Sequence, residues 1–172
     1  MVKIVKRPLQ TFRQERMVAF DPLDPPFDEV RAERIGLVLS LWNRWRGDQP
    51  APRRRDVDPA ALRTVLPQIF IFDVEEDDFR FRLVGEAVNE RYDHRLKGRS
   101  LRELLSGNAL DETLHEHRRC VHHLEAVLVH NSVEAVTRDD RLIYTRLLLP
   151  LEVVGGKAHN ILGLMEFPVA AA

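Results

Sequence analysis

The chain has little of what would place it in an extreme class. It holds one cysteine, Cys120, in 172 residues, so no internal disulfide can form. Uninterrupted apolar runs such as Ile69 to Phe72 and Leu147 to Leu149 fall far below the roughly 18 residues of a bilayer-crossing helix. The opening MVKIVKRPLQ has no apolar h-region of the kind a secretion signal needs. A cytoplasmic location is therefore expected. Lys and Arg number 26 against 27 Asp and Glu, a formal net charge of -1. No overall positive field gathers nucleic acid or an anionic membrane around such a molecule, so neither is an expected partner.

Catalytic motifs are also absent. No G-x-G-x-x-G, G-x-x-x-x-G-K-[ST] or H-E-x-x-H occurs, and no G-x-S-x-G elbow presents a nucleophile. A Ser/His/Asp set drawn from Ser100 or Ser132 and any of 7 histidines has nothing to position it. No catalytic residue is assigned, and the expectation is a protein that is not an enzyme.

What is present is a globular balance, 44% hydrophobic and 31% charged, in a chain long enough for one domain with a full core. Residues 1–26 carry scattered basic residues and then Pro22, Pro25 and Pro26, without a helical or strand period, and read as an extended arm. Residues 27–172 read as a single domain. It opens with a helix over 27–46, whose apolar stripe is Val30, Leu37, Val38, Leu41, Trp42 and Trp45. Ile35 and Leu39 widen that stripe beyond one contact surface, which suggests a second contact such as another subunit.

Asp58 followed by Pro59 predicts a capped short helix ending before Pro67. Ile69 to Val74, then Phe79, Phe81 and Leu83 alternating with Arg80 and Arg82, predict a hairpin turning at Glu75 to Asp78. Ser100 with Glu103 reads as a capping box. Leu110, Leu114, Val121, Leu124 and Leu128 predict a longer helix. A strand over roughly 133–138 and two period-two strands joined at Gly155 and Gly156 complete the order: helix, two strands, helices, three strands.

That order and the blocks LWNRWR (41–46), RRDVDPAAL (54–62), LPQIFIFDV (66–74), FRFRLVG (79–85), KGRSLREL (97–104), LLLPL (147–151) and ILG (161–163) resemble the short PAS proteins that stand alone in α-proteobacteria. The resemblance runs from about Leu41 to Leu164. Asp93 departs from it, standing where that family would have a glycine. It implies an α+β fold, a five-stranded antiparallel PAS-like sheet with helices on one face and an extra N-terminal helix. It also implies a small-molecule cavity between sheet and helices and a homodimer formed through the N-terminal helix. It implies no reaction, and any output passes to a signalling partner protein.

From their predicted faces, Phe72, Leu83, Tyr92, His117, Tyr144 and Met165 are the candidate ligand-binding residues, with plain core as their alternative. Leu37, Leu41, Trp42 and Trp45 are the candidate dimer interface. No cofactor is specified: the covalent flavin chemistry of blue-light relatives needs a thiol where GRSLREL supplies Ser100. HEHRRCVHH (115–123) is rich in metal-ligand types, but at about 100° per residue its side chains splay around a helix, and no metal is assigned. Arg53, Arg54 and Arg55 are a basic cluster fit for an acidic partner or a phosphate, or else a solvated loop. An enzyme reading in a cone-shaped α+β fold, as in small isomerases and dehydratases, would rest on Asp73 and His117 in one cavity. A ligand-free interaction module is the remaining alternative.

Overall fold

The computed structural model describes residues 29–92, 95–134 and 141–167. The expected arm, 1–26, lies outside them. The first helix, α1, is Glu29–Arg46. The residues after it do not build the short helix expected at Asp58. Ala60 N–H donates to Asp58 Oδ1 at 2.9 Å, and successive i to i+3 turns follow, with Leu62 N–H donating to the Pro59 carbonyl at 3.2 Å and Val65 N–H to the Leu62 carbonyl at 2.8 Å. These run through Pro67 in a 3-10 turn, Leu66–Gln68.

The hairpin follows as expected, β1 (Ile69–Val74) and β2 (Phe79–Val84), with Glu75 N–H donating to the Asp78 carbonyl at 2.9 Å. At Gly85 the chain passes so close to Leu66 and Pro67 that a Cβ would lie 2.3 Å from both carbonyl oxygens, so no larger residue fits. Then come α2 (Glu86–Tyr92), α3 (Leu101–Leu104) and α4 (Gly107–His123). The capping box is present: Glu103 Oε2 accepts the Ser100 N–H at 2.8 Å and Ser100 Oγ accepts the Glu103 N–H at 3.4 Å. Leu124, at φ 55°, stops α4 in the left-handed conformation. Leu128, expected on that helix, instead lies in β3 (Val127–Glu134). The strand expected at 133–138 thus begins earlier, and its later residues lie outside the described ones. β4 (Arg141–Val154) and β5 (Lys157–Glu166) turn at Gly155 and Gly156.

The sheet is antiparallel throughout, in the order β2-β1-β5-β4-β3. Both of its faces are covered, so its inner strands read as nearly continuous apolar runs. On one face α2, α3 and α4 pack over Phe70, Phe72, Phe79, Phe81, Leu148, Ile161 and Met165. On the other, α1 and the turns after it cover Ile69, Leu147, Leu149, Leu151, Leu162 and Leu164.

The buried stripe of α1 is Ile35, Val38, Leu41 and Trp42, whereas Val30 and Leu37 are exposed. This is a rotation from the expected stripe, and its cause is in the composition. The run IGLVLSLW is apolar nearly all round, so its period picks no single face. Trp42 Nε1 donates to the Pro150 carbonyl at 2.9 Å. Pro150 lies past the end of the β3–β4 ladder, where a missing N–H costs no bond on that side.

Candidate functional site

The space between α2–α4 and the sheet holds two adjoining groups of side chains. The first is aromatic. Phe72 and Phe81 lie 4.1 Å apart at their ring centroids, and Phe72 meets Phe70 edge-on at 5.4 Å. His117 of α4 enters this group, 5.1 Å from Phe72 and 5.0 Å from Phe79. Its Nδ1 lies 2.7 Å from the Thr113 carbonyl, which can only accept, so Nδ1 carries a proton and donates.

The second group is polar and centres on Arg146. Alternation along β4 puts Tyr144, Arg146 and Leu148 on the helix-facing side, and Arg146 is 5% exposed. Its NH2 pairs with Glu116 Oε2 of α4, and its guanidinium lies 5.6 Å from the Tyr144 ring centroid. Burial works against the charged guanidinium, but Tyr144 and Glu116 outweigh it, so its pKa stands above the ordinary arginine value. Arg146 Nε is buried without a hydrogen-bond partner among the described residues. Beside it the Tyr92 hydroxyl reaches Met165 Sδ at 3.6 Å, and burial pushes that phenol well above the usual tyrosine range.

The structure therefore brings together Phe72 and His117 in one group and Tyr92, Tyr144 and Met165 in the other. Leu83 joins neither and is 43% exposed. A bulge explains it: Phe72 pairs with Phe81 but Ile71 pairs with Leu83. The extra residue, Arg82, flips Leu83 to the opposite face. Of the candidate interface residues, Trp42 (1% exposed) and Leu41 (8%) are spent on the chain's own sheet, leaving Leu37 exposed and Trp45 half-buried.

Asp73 and His117 do not share a cavity. Asp73 follows Phe72 on the opposite face of β1, where it accepts from Asn160 Nδ2 at 2.7 Å and pairs with Arg82 at 3.3 Å. His115, His122 and His123 are exposed while His117 and Cys120 face inward. Burial also pushes the Cys120 thiol far above the usual range. Ser100 is occupied as a helix cap. Arg146 is the residue that sequence reasoning missed. Its signal was the alternation that puts it on the same face as Tyr144.

A family model described as a PAS domain matches residues 32–166. The chain belongs to the PAS domain family. Among solved structures, one described by the words "Flavin Analogue Sheds Light on Light-Oxygen-Voltage Domain Mechanism" is similar to this PAS chain. It has a TM-score of 0.46 and 15% identity, over 64% of this chain and 84% of that one. No curated protein matches. Among the described residues of this PAS domain, no helix is long and apolar enough to cross a membrane.

Proposed function

We propose that this PAS domain is a regulatory module that acts by binding rather than by catalysis, and that it recognises a small molecule at the Arg146 cluster. The observation that carries the reading is a buried guanidinium, Arg146, facing the helix-covered interior and paired with the less deeply buried Glu116 of α4. Taking each ion out of water costs about several kcal/mol, and apolar replacements of such pairs are often neutral or stabilising. Stability alone is therefore a poor reason to keep it. A few convergent polar groups among aromatic and thioether side chains is the usual make-up of a ligand site.

The exposed Val30 and Leu37 on α1 support a homodimer along that helix, through which ligand occupancy would reach a signalling partner. Occupancy would have to favour one arrangement of α1 over another, since equal affinity for both shifts nothing. The sequence blocks support a place among the stand-alone PAS proteins of α-proteobacteria. One buried cysteine suits a cytoplasmic setting, where structural disulfides are rare.

The test is native mass spectrometry of the protein purified from its own host, set against a denatured sample. A retained mass released on denaturation, and lost in Arg146→Met, is expected. The packed aromatic group around Phe72 and Phe81 favours a second reading, a ligand-free interaction module. An empty dimer would select that one.

A further inference from the structure

On the opposite face of the sheet, the turn carrying Arg53, Arg54 and Arg55 is fixed by backbone groups. Glu152 of β4, at φ 53°, donates its N–H to the Pro52 carbonyl at 2.9 Å. Its Oε2 accepts the Arg54 N–H, also at 2.9 Å. Arg53 N–H donates to Asp56 Oδ2 at 3.1 Å, closing the 3-10 turn Arg54–Asp56. None of these bonds uses a guanidinium. The three arginine side chains are exposed, and among the described residues none of them forms an ion pair.

Two surface clefts, each of about 440 Å3, adjoin at Arg53. One is basic, lined by Arg53, Arg54 and Arg55 with Glu152 and Asn160. Asn160 is 6% exposed and held by bonds to the Phe72 carbonyl and Asp73 Oδ1, so that wall is firm. The other cleft is walled by Trp45, Pro50, Pro52 and Val153 next to Arg46. Along the pair, four arginines face two carboxylates, Asp56 and Glu152.

Guanidinium forks match carboxylates in paired, charge-assisted hydrogen bonds. The proline and tryptophan wall takes an apolar side chain, and the basic cleft offers no aromatic for base stacking. We propose that this groove docks an acidic peptide segment of a partner protein, with carboxylates on Arg53–Arg55 and an adjoining apolar side chain against Trp45 and Pro52. The surface is separate from the Arg146 cluster and does not depend on a ligand there.

Fluorescence anisotropy of a labelled peptide of four glutamates and a leucine, titrated with the full chain, tests it. Saturable binding is expected that weakens with added salt and falls at least about tenfold in Arg53→Ser/Arg54→Ser/Arg55→Ser. That variant keeps every anchoring bond, because the turn is held by its backbone. Amide chemical-shift changes in the unmutated chain provide the check that needs no variant, and they should cluster at 45–55 and 152–160. Absence of saturable binding below about 1 mM, equal binding by the variant, or shifts centred elsewhere each overturns the proposal. So does equal affinity for the same peptide with serine in place of leucine, or full displacement by inorganic phosphate, either of which makes this a simple anion site.

Discussion

Replacing Glu116 by leucine leaves the Arg146 guanidinium inside the protein without its counter-charge. The Arg146 side chain is 6% exposed and that of Glu116 16%, so water reaches the pair from the glutamate side only. Removing one partner of a buried pair costs about 3–5 kcal/mol. The remaining access of water puts Glu116→Leu near the lower end, about 3 kcal/mol. With a urea m-value of about 1.5 kcal/mol/M, the unfolding midpoint falls by about 2 M. The double variant Glu116→Leu/Arg146→Met removes both charges, fills the same space with apolar atoms and should unfold within about 1 kcal/mol of the unmodified chain. Urea unfolding followed by circular dichroism measures all of these. A loss below about 1 kcal/mol in Glu116→Leu would mean that water solvates the guanidinium after all. The ligand site argued from its burial would then lose its basis.

Three further outcomes are expected. Gly163→Ala puts a Cβ 2.0 Å from Phe70 Cζ, on a ring that is 0% exposed. It should cost about 1–3 kcal/mol by thermal melting, partly regained in Gly163→Ala/Phe70→Leu, and an unchanged Tm would refute the close packing. The Cys120 thiol, raised by burial, should resist a disulfide reagent at mildly alkaline pH until urea unfolds the chain, and prompt labelling of the folded protein would contradict that burial. Glu103 is held below the usual glutamate range, first by the Ser100 N–H and then by Arg80 and Arg99. A carboxylate lowered in the folded state supports folding above its unfolded pKa and loses that support as pH falls through the folded one. An NMR titration should therefore find Glu103 titrating on the acid side of ordinary glutamates, and an ordinary midpoint would argue against the capping box.

The features legible in the sequence were local ones. The β1–β2 hairpin, the Ser100 box and the glycine turn between β4 and β5 are each specified within a few residues, and each lies where the spacing places it. Leu83 was misplaced because a bulge depends on how β2 pairs with β1, and period-two counting along one strand does not register an inserted residue. The buried face of α1 was misread for the opposite reason, an excess of apolar residues that satisfies several faces at once. Tyr92, Tyr144 and Met165 were placed by strand and helix periods, whereas their charged neighbour Arg146 lies on the face of Tyr144 by the same alternation and was not singled out. The fixing of the Arg53–Arg55 turn by Glu152 joins residues 98 apart, and no local pattern announces it.

The sheet order has a consequence for how the molecule comes into being. β5 follows every other strand in sequence but lies between β1 and β4, and it is the element to which both hairpin partners bond. Until the ribosome has released residue 166, the β1–β2 hairpin and the β3–β4 pair have no strand to join them. Their apolar faces must wait in the open. Pairing at such sequence separation is slow to close and prone to association in the meantime. A nascent chain stalled before β5 would be a natural client for a holding chaperone, whereas in the finished domain the apolar faces of β1, β4 and β5 are buried.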